Sequence, residues 1–420
     1  MAPELPVIPP QLLPADGRFG SGPSRIRPEQ VQALSQPLLL GTSHRQPPVK
    51  HVVHSVREGL GTLFDLPDGW EVTLGNGGST AFWAVATTSL VRHRAAHASF
   101  GEFGAKFAQE TSTAPHLAPS VVVEAPAGSV ALLTGDEGAD DDLPSPDVFA
   151  HPHHETSTGA ISPVRRLGGA GSLTVVDATS VAGGVTVDVA ATDAYYFAPQ
   201  KCFASDGGLW IALLSPAAQE RARELHGAPG RWMPQFLDLS IALDNSLKDQ
   251  TLNTPAIATL VMLERQIAWM LANGGLAGME SRTRATSAAV YEWAEASDVA
   301  TPFVEDPQWR SPVVETIDFD DRVDAKHLAR VLRANGIVDV EPYRKLGRNQ
   351  LRQGFWDREF SGFLRICLGR GGARLVQWVG GGQVVSARTW CGPARRPGAD
   401  HGHPEGRLLA GHVIPVLTDT

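Results

Sequence analysis

Cysteine is scarce in this chain: three residues in 420, at Cys202, Cys367 and Cys391. They cannot make a disulfide framework, and they lack the paired spacing of a zinc site. A reducing compartment suits such usage. No uninterrupted apolar run reaches about 18 residues, which removes a membrane-spanning helix from consideration. The opening stretch, Met1-Ala-Pro-Glu-Leu-Pro-Val-Ile-Pro-Pro10, has no basic segment and is broken by prolines. It does not read as a secretory signal, and a cytoplasmic location is expected. An excess of positive charge is missing too. The formal net charge is −9, which argues against bulk nucleic-acid binding and against a basic membrane-docking face. An anionic ligand would have to be drawn by a local basic site.

What remains is a globular composition, 42% hydrophobic and 19% charged, on a chain long enough for two domains. Residues 1–15 form a Pro-rich, extended lead-in. A glycine-rich loop follows, Asp16-Gly-Arg-Phe-Gly-Ser-Gly-Pro-Ser24, then a helix opened by Pro28. Val49 to Phe64 carries helical apolar spacing. Trp70 to Leu74 alternates as a strand and runs through Gly75-Asn-Gly-Gly-Ser-Thr80 into a helix over 81–90. Strand, glycine turn and helix make an anion cradle, because free N–H groups and the positive dipole end face the same point. The turn lacks the lysine of a Walker loop and the full Gly-x-Gly-x-x-Gly pattern, so alone it serves equally as a structural turn.

Residues 120–124 and 129–133 read as strands, and 135–142 as a solvated acidic loop. His151-Pro-His-His-Glu155 is rich in possible ligands, but proline breaks it and the spacing is not that of a zinc helix. No metal is expected. Ser172 to Asp177 is a buried strand ending in a carboxylate, the place where ligands sit in open α/β sheets; a loop or cap role for Asp177 is the alternative. Tyr195 to Phe203 and Leu209 to Leu214 are two apolar runs with Lys201 in the turn between them. A lysine there is either an ordinary turn residue or an amine whose pKa burial lowers until it is nucleophilic. Further helices are expected over 217–226, 257–271 (with Thr254 capping before Pro255), 279–295 and 324–334. Strands are expected over 313–319 and 337–340. The alternation implies a parallel or mixed sheet covered on both faces.

Taken together, a glycine turn before a helix, a strand-end aspartate and a turn lysine are the three anchors that pyridoxal phosphate requires: phosphate, pyridine nitrogen and Schiff base. The motifs extend this. Phe19-Gly-Ser-Gly-Pro-Ser24, Gly41-Thr-Ser-His-Arg45, Gly75-Asn-Gly-Gly-Ser-Thr80, His154-Glu-Thr-Ser-Thr-Gly159, Val176-Asp-Ala-Thr-Ser180, Ala198-Pro-Gln-Lys201, Asn253-Thr-Pro255 and Arg344-Lys-Leu-Gly-Arg-Asn-Gln-Leu-Arg352 occur in one order. In these the chain resembles the phosphoserine aminotransferases, class V members of the fold type I pyridoxal-phosphate enzymes, in their actinobacterial branch. The match runs from about residue 15 to 352.

The resemblance implies an α/β fold with a large domain over 16–272, built on a mixed seven-stranded-type sheet between helices, and a smaller α+β domain over 273–352. Lys201 would be the Schiff-base lysine and the group that moves the Cα proton. Gln200, Gly78 and Ser79 would meet the cofactor phosphate, Phe103 would stack on the ring, Thr156 would sit near the ring hydroxyl, and Asp177 would hold the pyridine nitrogen. Asn253 and Thr254 would reach the phosphate of a second subunit, making the active site a property of a homodimer. His44, Arg45 and Arg352 would bind substrate carboxylate and phosphate, which forked guanidinium groups suit. The implied reaction is transamination between glutamate and 3-phosphohydroxypyruvate in serine biosynthesis, with a related role in pyridoxine biosynthesis. An alanine–glyoxylate type of exchange and a catalytically impaired relative are the alternatives.

The impaired alternative arises from the end of the chain. From 353 to 420 there is no lysine, asparagine, tyrosine or methionine, while Trp356, Trp378 and Trp390 and two of the three cysteines fall there. Strands are expected over 373–379 and 383–387, and no helical period is sustained. An out-of-frame gene end and a lineage-specific extension both account for so abrupt a break. In either case the helix that closes the small domain is missing from the pattern, and Arg352 is expected to be poorly held.

Overall fold

The computed structural model describes residues 5–35, 39–138 and 142–354. The two strands expected over 373–379 and 383–387 lie outside the described residues. In chain order the described strands are β1 (Glu71–Asn76), β2 (Ala95–Ser99), β3 (Val121–Glu124), β4 (Val148–Pro152), β5 (His154–Glu155), β6 (Ala160–Ile161), β7 (Leu173–Asp177), β8 (Ala194–Phe197), β9 (Leu209–Leu214), β10 (Ala300–Pro302), β11 (Val314–Phe319) and β12 (Gln350–Gly354). The helices are α1 (Pro28–Ala33), α2 (Pro47–Leu63), α3 (Gly78–Ser89), α4 (Glu102–Ser112), α5 (Pro216–Leu225), α6 (Leu239–Ser246), α7 (Ile257–Ala272), α8 (Gly275–Glu295) and α9 (Ala325–Ala334).

Seven strands form one sheet in the order β1-β9-β8-β7-β4-β2-β3. Strands β3, β2, β4, β7 and β8 are parallel, and β9 runs against both β8 and β1. Strand β1 therefore points the same way as the parallel set. The carboxyl ends of β1, β2, β4, β7 and β8 open on one edge of the sheet, which is where α/β sheets bind ligands. Helices cover both faces. On one side α2 and α7 pack Val52, Val56, Leu60, Leu263 and Ile267 with the strand residues Tyr195, Phe197 and Leu213. On the other, α3 brings Phe82 and Trp83 to Tyr196, Trp210 and Ala212. Burial on both faces explains the near-continuous apolar runs of β8 and β9.

A second, antiparallel sheet of β10, β11 and β12 packs with α8 and α9 around Val290, Trp293, Ile317 and Leu332. The N-terminal arm joins it: Ile8 and Phe19 lie in that core, and Gly354 donates to the carbonyl of Phe19 at 2.9 Å. By packing, then, the stretch around Phe19 goes with the small sheet although it falls within the 16–272 expected for the large domain. Helix α8 is shared, with Leu276 and Met279 on the large core and Val290 to Ala294 on the small one. Among the described residues no helix is long and apolar enough to cross a membrane.

Several expectations need correction. Residues 129–133 pair with no strand among the described residues; Ala131 and Leu133 are buried and Leu132 is exposed, so the alternation reports burial rather than a ladder. Residues 337–340 make only a single bridge, Arg18 to Val338. Thr254 does not cap α7. Its N-cap is Ala256, without a side-chain bond, and the Thr254 hydroxyl turns to His44 instead. Helix α3 begins at Gly78, so three residues of the expected glycine turn are helical. Arg352 is not loosely held: it stands mid-strand in β12, its N–H bonds Val340 O at 2.9 Å, and its Nη1 bonds Thr156 O at 3.1 Å.

Candidate active site

Five connections on the carboxyl edge bring most of the expected residues together. After β1 comes Gly78-Ser79, after β2 Phe103, after β4 the segment 153–156 with the short strand β5, at the end of β7 Asp177, and after β8 Gln200-Lys201. Register places Pro152 opposite Asp177 and Asp177 opposite Tyr196, so the last three segments leave adjacent strands side by side.

The Lys201 amine donates to the carbonyl of Ser21 at 2.9 Å, and Gln200 O accepts from Ser24 N at 2.8 Å. The glycine-rich loop thus closes over the lysine. Gly22 in it has φ +114°, and a Cβ there would stand 2.7 Å from Lys201 Nζ. Only glycine combines that dihedral with that approach. Lys201 keeps part of its surface accessible, but its amine is drained of solvent and faces the positive charge of Arg352. Its pKa falls to about 8. The free amine is therefore a usable minority at neutral pH, far larger than an ordinary lysine offers, as a nucleophile needs.

Asp177 is buried. Thr179 N and Thr179 Oγ1 lie 2.9 and 2.5 Å from its Oδ1, and Trp83 Nε1 bridges its Oδ2 at 3.3 Å and Tyr196 OH at 2.9 Å. Burial nonetheless pushes its pKa up against these donors. A cationic N–H at this point would restore the ionised form. Ser79 Oγ, 2.7 Å from Thr179 Oγ1, ties the start of α3 to the same cluster. Helix α3 has no side-chain cap; its N-cap Gly77 and first residue Gly78 both have positive φ, and a Cβ on Gly78 would meet nothing within 4 Å. Open N–H groups over open space suit a phosphate. Gln200 Oε1 is buried without a partner among the described residues. Amine, acid and phosphate cradle fit pyridoxal phosphate.

Phe103 stands at the start of α4, edge-on to Tyr343 at 5.9 Å. Its position is fixed by a residue the sequence did not single out. The fully buried Glu155 carboxylate accepts from Phe103 N and Gly104 N at 3.0 and 3.1 Å, and from Ser157 N and Oγ at 3.1 and 2.7 Å. It caps α4 from another strand connection. Thr156 Oγ1 donates to Ser180 Oγ at 2.6 Å, and Ser180 Oγ meets His154 Nδ1 at 2.7 Å. His154 is a second residue missed; its segment was read for metal and for family resemblance, without a role for this ring. Among the described residues no group of three His, Cys, Asp or Glu side chains converges as metal ligands.

The other four expected residues form a separate cluster. Thr254 Oγ1 and His44 Nδ1 are 3.2 Å apart, Arg45 donates to Gln250 at 2.9 Å, and Asn76 donates to Asn253 at 2.8 Å. Arg45, Asn253 and Thr254 are exposed. None of these bonds reaches Lys201, Asp177 or Arg352.

Comparison with known proteins agrees with this chemistry. The family model for aminotransferase class-V matches residues 41–340. The phosphoserine aminotransferase of Rhodococcus opacus is 56% identical over 354 residues, covering 84% of this chain and 93% of the relative. That of Corynebacterium glutamicum is 55% identical over 356 residues, with 84% and 93% covered. Among solved structures, the phosphoserine aminotransferase from Cytophaga hutchinsonii superposes with a TM-score of 0.75 at 22% identity, over 84% of this chain and 99% of that one. The pyridoxal-phosphate-bound enzyme from Trichomonas vaginalis gives 0.66 at 17%, over 82% and 96%.

Proposed function

The chain belongs to the class-V aminotransferase family, whose cofactor is pyridoxal phosphate, and from that premise we propose the reaction and the residues that serve it. It is a phosphoserine aminotransferase, exchanging an amino group reversibly between glutamate and 3-phosphohydroxypyruvate. The observation that carries this choice within the family is the relative that is 56% identical over 93% of its own length and bears that name.

The cofactor, when bound, supplies an electron sink that stabilises negative charge at the substrate Cα. The chain supplies the rest. Gly78, Ser79 and Gln200 hold its phosphate and Asp177 its pyridine nitrogen. Phe103, anchored by Glu155, walls its face, and Thr156 stands at the ring hydroxyl. Lys201 would hold it through its amine and, when that amine is free, would take the proton from the substrate Cα and hand it back on the same side. An amine with a pKa of about 8 is matched to both directions of that transfer. The Arg352 guanidinium, backed by its bond to Thr156 O, binds a substrate carboxylate.

His44, Arg45, Asn253 and Thr254 serve the site of a second copy of the chain. The exposure of Arg45, Asn253 and Thr254, and the bond that ties half-buried His44 to Thr254, support their use across a dimer interface. We place the enzyme in the cytoplasm, in keeping with its scattered cysteines. Purified protein loaded with cofactor is expected to turn over glutamate with 3-phosphohydroxypyruvate, and to be at least about a hundredfold slower with alanine and glyoxylate, given what charged contacts contribute. Equal rates with both pairs would reject the phosphorylated substrate. Binding of cofactor without turnover would identify an impaired relative.

A further inference from the structure

Two buried polar atoms beside Lys201 have no hydrogen-bond partner among the described residues and no role in holding the cofactor: Nε2 of His154 and Nε of Arg352. A buried donor left unsatisfied costs about 1–3 kcal/mol, so each calls for a ligand. The two lie on one feature. Arg352 Nη1 bonds the carbonyl of Thr156, two residues beyond His154, and the charges of Lys201 and Arg352 both act on the His154 ring.

The protonation of that ring is set by its neighbours. Thr156 Oγ1 donates to Ser180 Oγ. Ser180 keeps a single proton of its own, and the remaining partner for it is His154 Nδ1 at 2.7 Å. Nδ1 is thereby an acceptor, and a neutral imidazole must then carry its hydrogen on Nε2. Burial and the cations nearby hold the ring neutral, with a pKa of about 3. The outcome is an N–H donor of fixed tautomer, buried and unused, beside a guanidinium.

We propose that His154 is a substrate-orienting residue: its Nε2–H and the Arg352 guanidinium together bind the α-carboxylate of the amino acid and of the keto acid, with Ser180 fixing the tautomer. A neutral donor adds directional grip without a second positive charge, which would lower the pKa of Lys201 further. The proposal rests on the transaminase reading above for its ligand, an α-amino or α-keto acid.

The test uses the cofactor-loaded enzyme and 2-methylglutamate, which has no Cα proton to lose and so reports binding alone through the visible spectrum. His154→Leu is expected to weaken its binding by about ten- to a hundredfold, the worth of a hydrogen bond to a charged group. His154→Gln, which keeps an N–H at similar reach, is expected to restore most of it. In steady state the Leu variant shows a raised KM for glutamate with kcat changed only a few-fold. Ser180→Ala, which frees the tautomer, is expected to weaken binding several-fold, and it stands in should the Leu variant fail to fold. Nitrogen NMR of the wild-type ring is expected to show one proton, on Nε2, from pH 6 to 9. Unchanged 2-methylglutamate affinity in His154→Leu or Ser180→Ala, or a proton on Nδ1, would overturn the proposal. Failure of the substrate reading looks different: glutamate binds and His154 matters, but 3-phosphohydroxypyruvate is not an acceptor.

Discussion

The carboxyl edge of the large sheet and the small three-stranded sheet surround their buried carboxylates in opposite ways. On the carboxyl edge of the large sheet, Asp177 receives Thr179 N, Thr179 Oγ1 and the Trp83 indole, while Glu155 receives two N–H groups of α4 and both donors of Ser157. In the small sheet Glu315 on β11 is buried with its Oε2 unpartnered among the described residues, and Gln353, opposite it on β12, has an unpartnered Oε1. Asp177 and Glu155 are surrounded by donors that hold their geometry, so a ligand meets a site already arranged. Glu315 has one oxygen unpartnered and its own backbone N–H as the donor set against burial, and proton uptake is the response left to it.

The largest effects are expected where the ordered edge is broken. Lys201→Ala removes both the covalent anchor and the proton carrier. Turnover should fall by about 10³- to 10⁴-fold, and the visible absorption of the bound cofactor should lose its lysine-dependent band; retention of that band would show that another amine holds it. Asp177→Asn keeps the shape but removes the charge opposite the pyridine nitrogen, and its amide can accept at only one of the two positions where the carboxylate accepts. A fall in kcat of about 10²- to 10³-fold, with glutamate binding little changed, is expected. The same edge makes a pH prediction. Because the Lys201 pKa is lowered to about 8, its neutral fraction rises as pH passes through that value and not through the ordinary lysine range. Cofactor uptake by the stripped protein should therefore accelerate from pH 6.5 to 8.5 and level off above about 9. Acceleration continuing to pH 10 would mean an unperturbed amine.

The ordered edge was also the more legible region. Strands β8 and β9 are apolar runs, and Lys201 sits where the chain must turn between them; Asp177 ends a run that could only be a strand. The cofactor assignment followed from those positions, and the substrate from motif resemblance. Other elements left weaker traces. Strand β2 reads Ala-Ala-His-Ala-Ser, with no β-branched residue, and is a strand because the sheet surrounds it on both sides. Strand β4 ends in His151-Pro152, which resembled a broken ligand cluster; in the fold proline takes the strand's last position. Glu155 and His154 act through contacts some 26 to 52 residues away in sequence, and no local period announces them. Arg352 looked exposed to loss because the helix expected after it was absent from the pattern. What holds it is β-pairing to Thr316 and a bond to Thr156, neither of which depends on that helix.

The smallest effect sharpens the contrast from the other side. Burial raises the Glu315 pKa to about 8, so the folded chain keeps a proton that the unfolded glutamate loses above its ordinary pKa near 4.5. Between those values the native state binds more protons than the unfolded one, and stability must fall as pH rises, by up to about 1.4 kcal/mol per pH unit from this group. The contribution is complete below about pH 4.5 and lost through pH 8. Glu315→Gln has no proton to keep. It should be nearly neutral for stability at pH 5 and stabilising by about 3 kcal/mol at pH 8, read as urea midpoints of the two proteins at each pH. The same exchange at Glu155 should destabilise at both values, because there the ionisable oxygens are occupied by α4 and Ser157. If Glu315→Gln were instead destabilising at pH 8, Glu315 would be an ionised, partnered group, and the difference between the two sheets would not be one of satisfied and unsatisfied carboxylates.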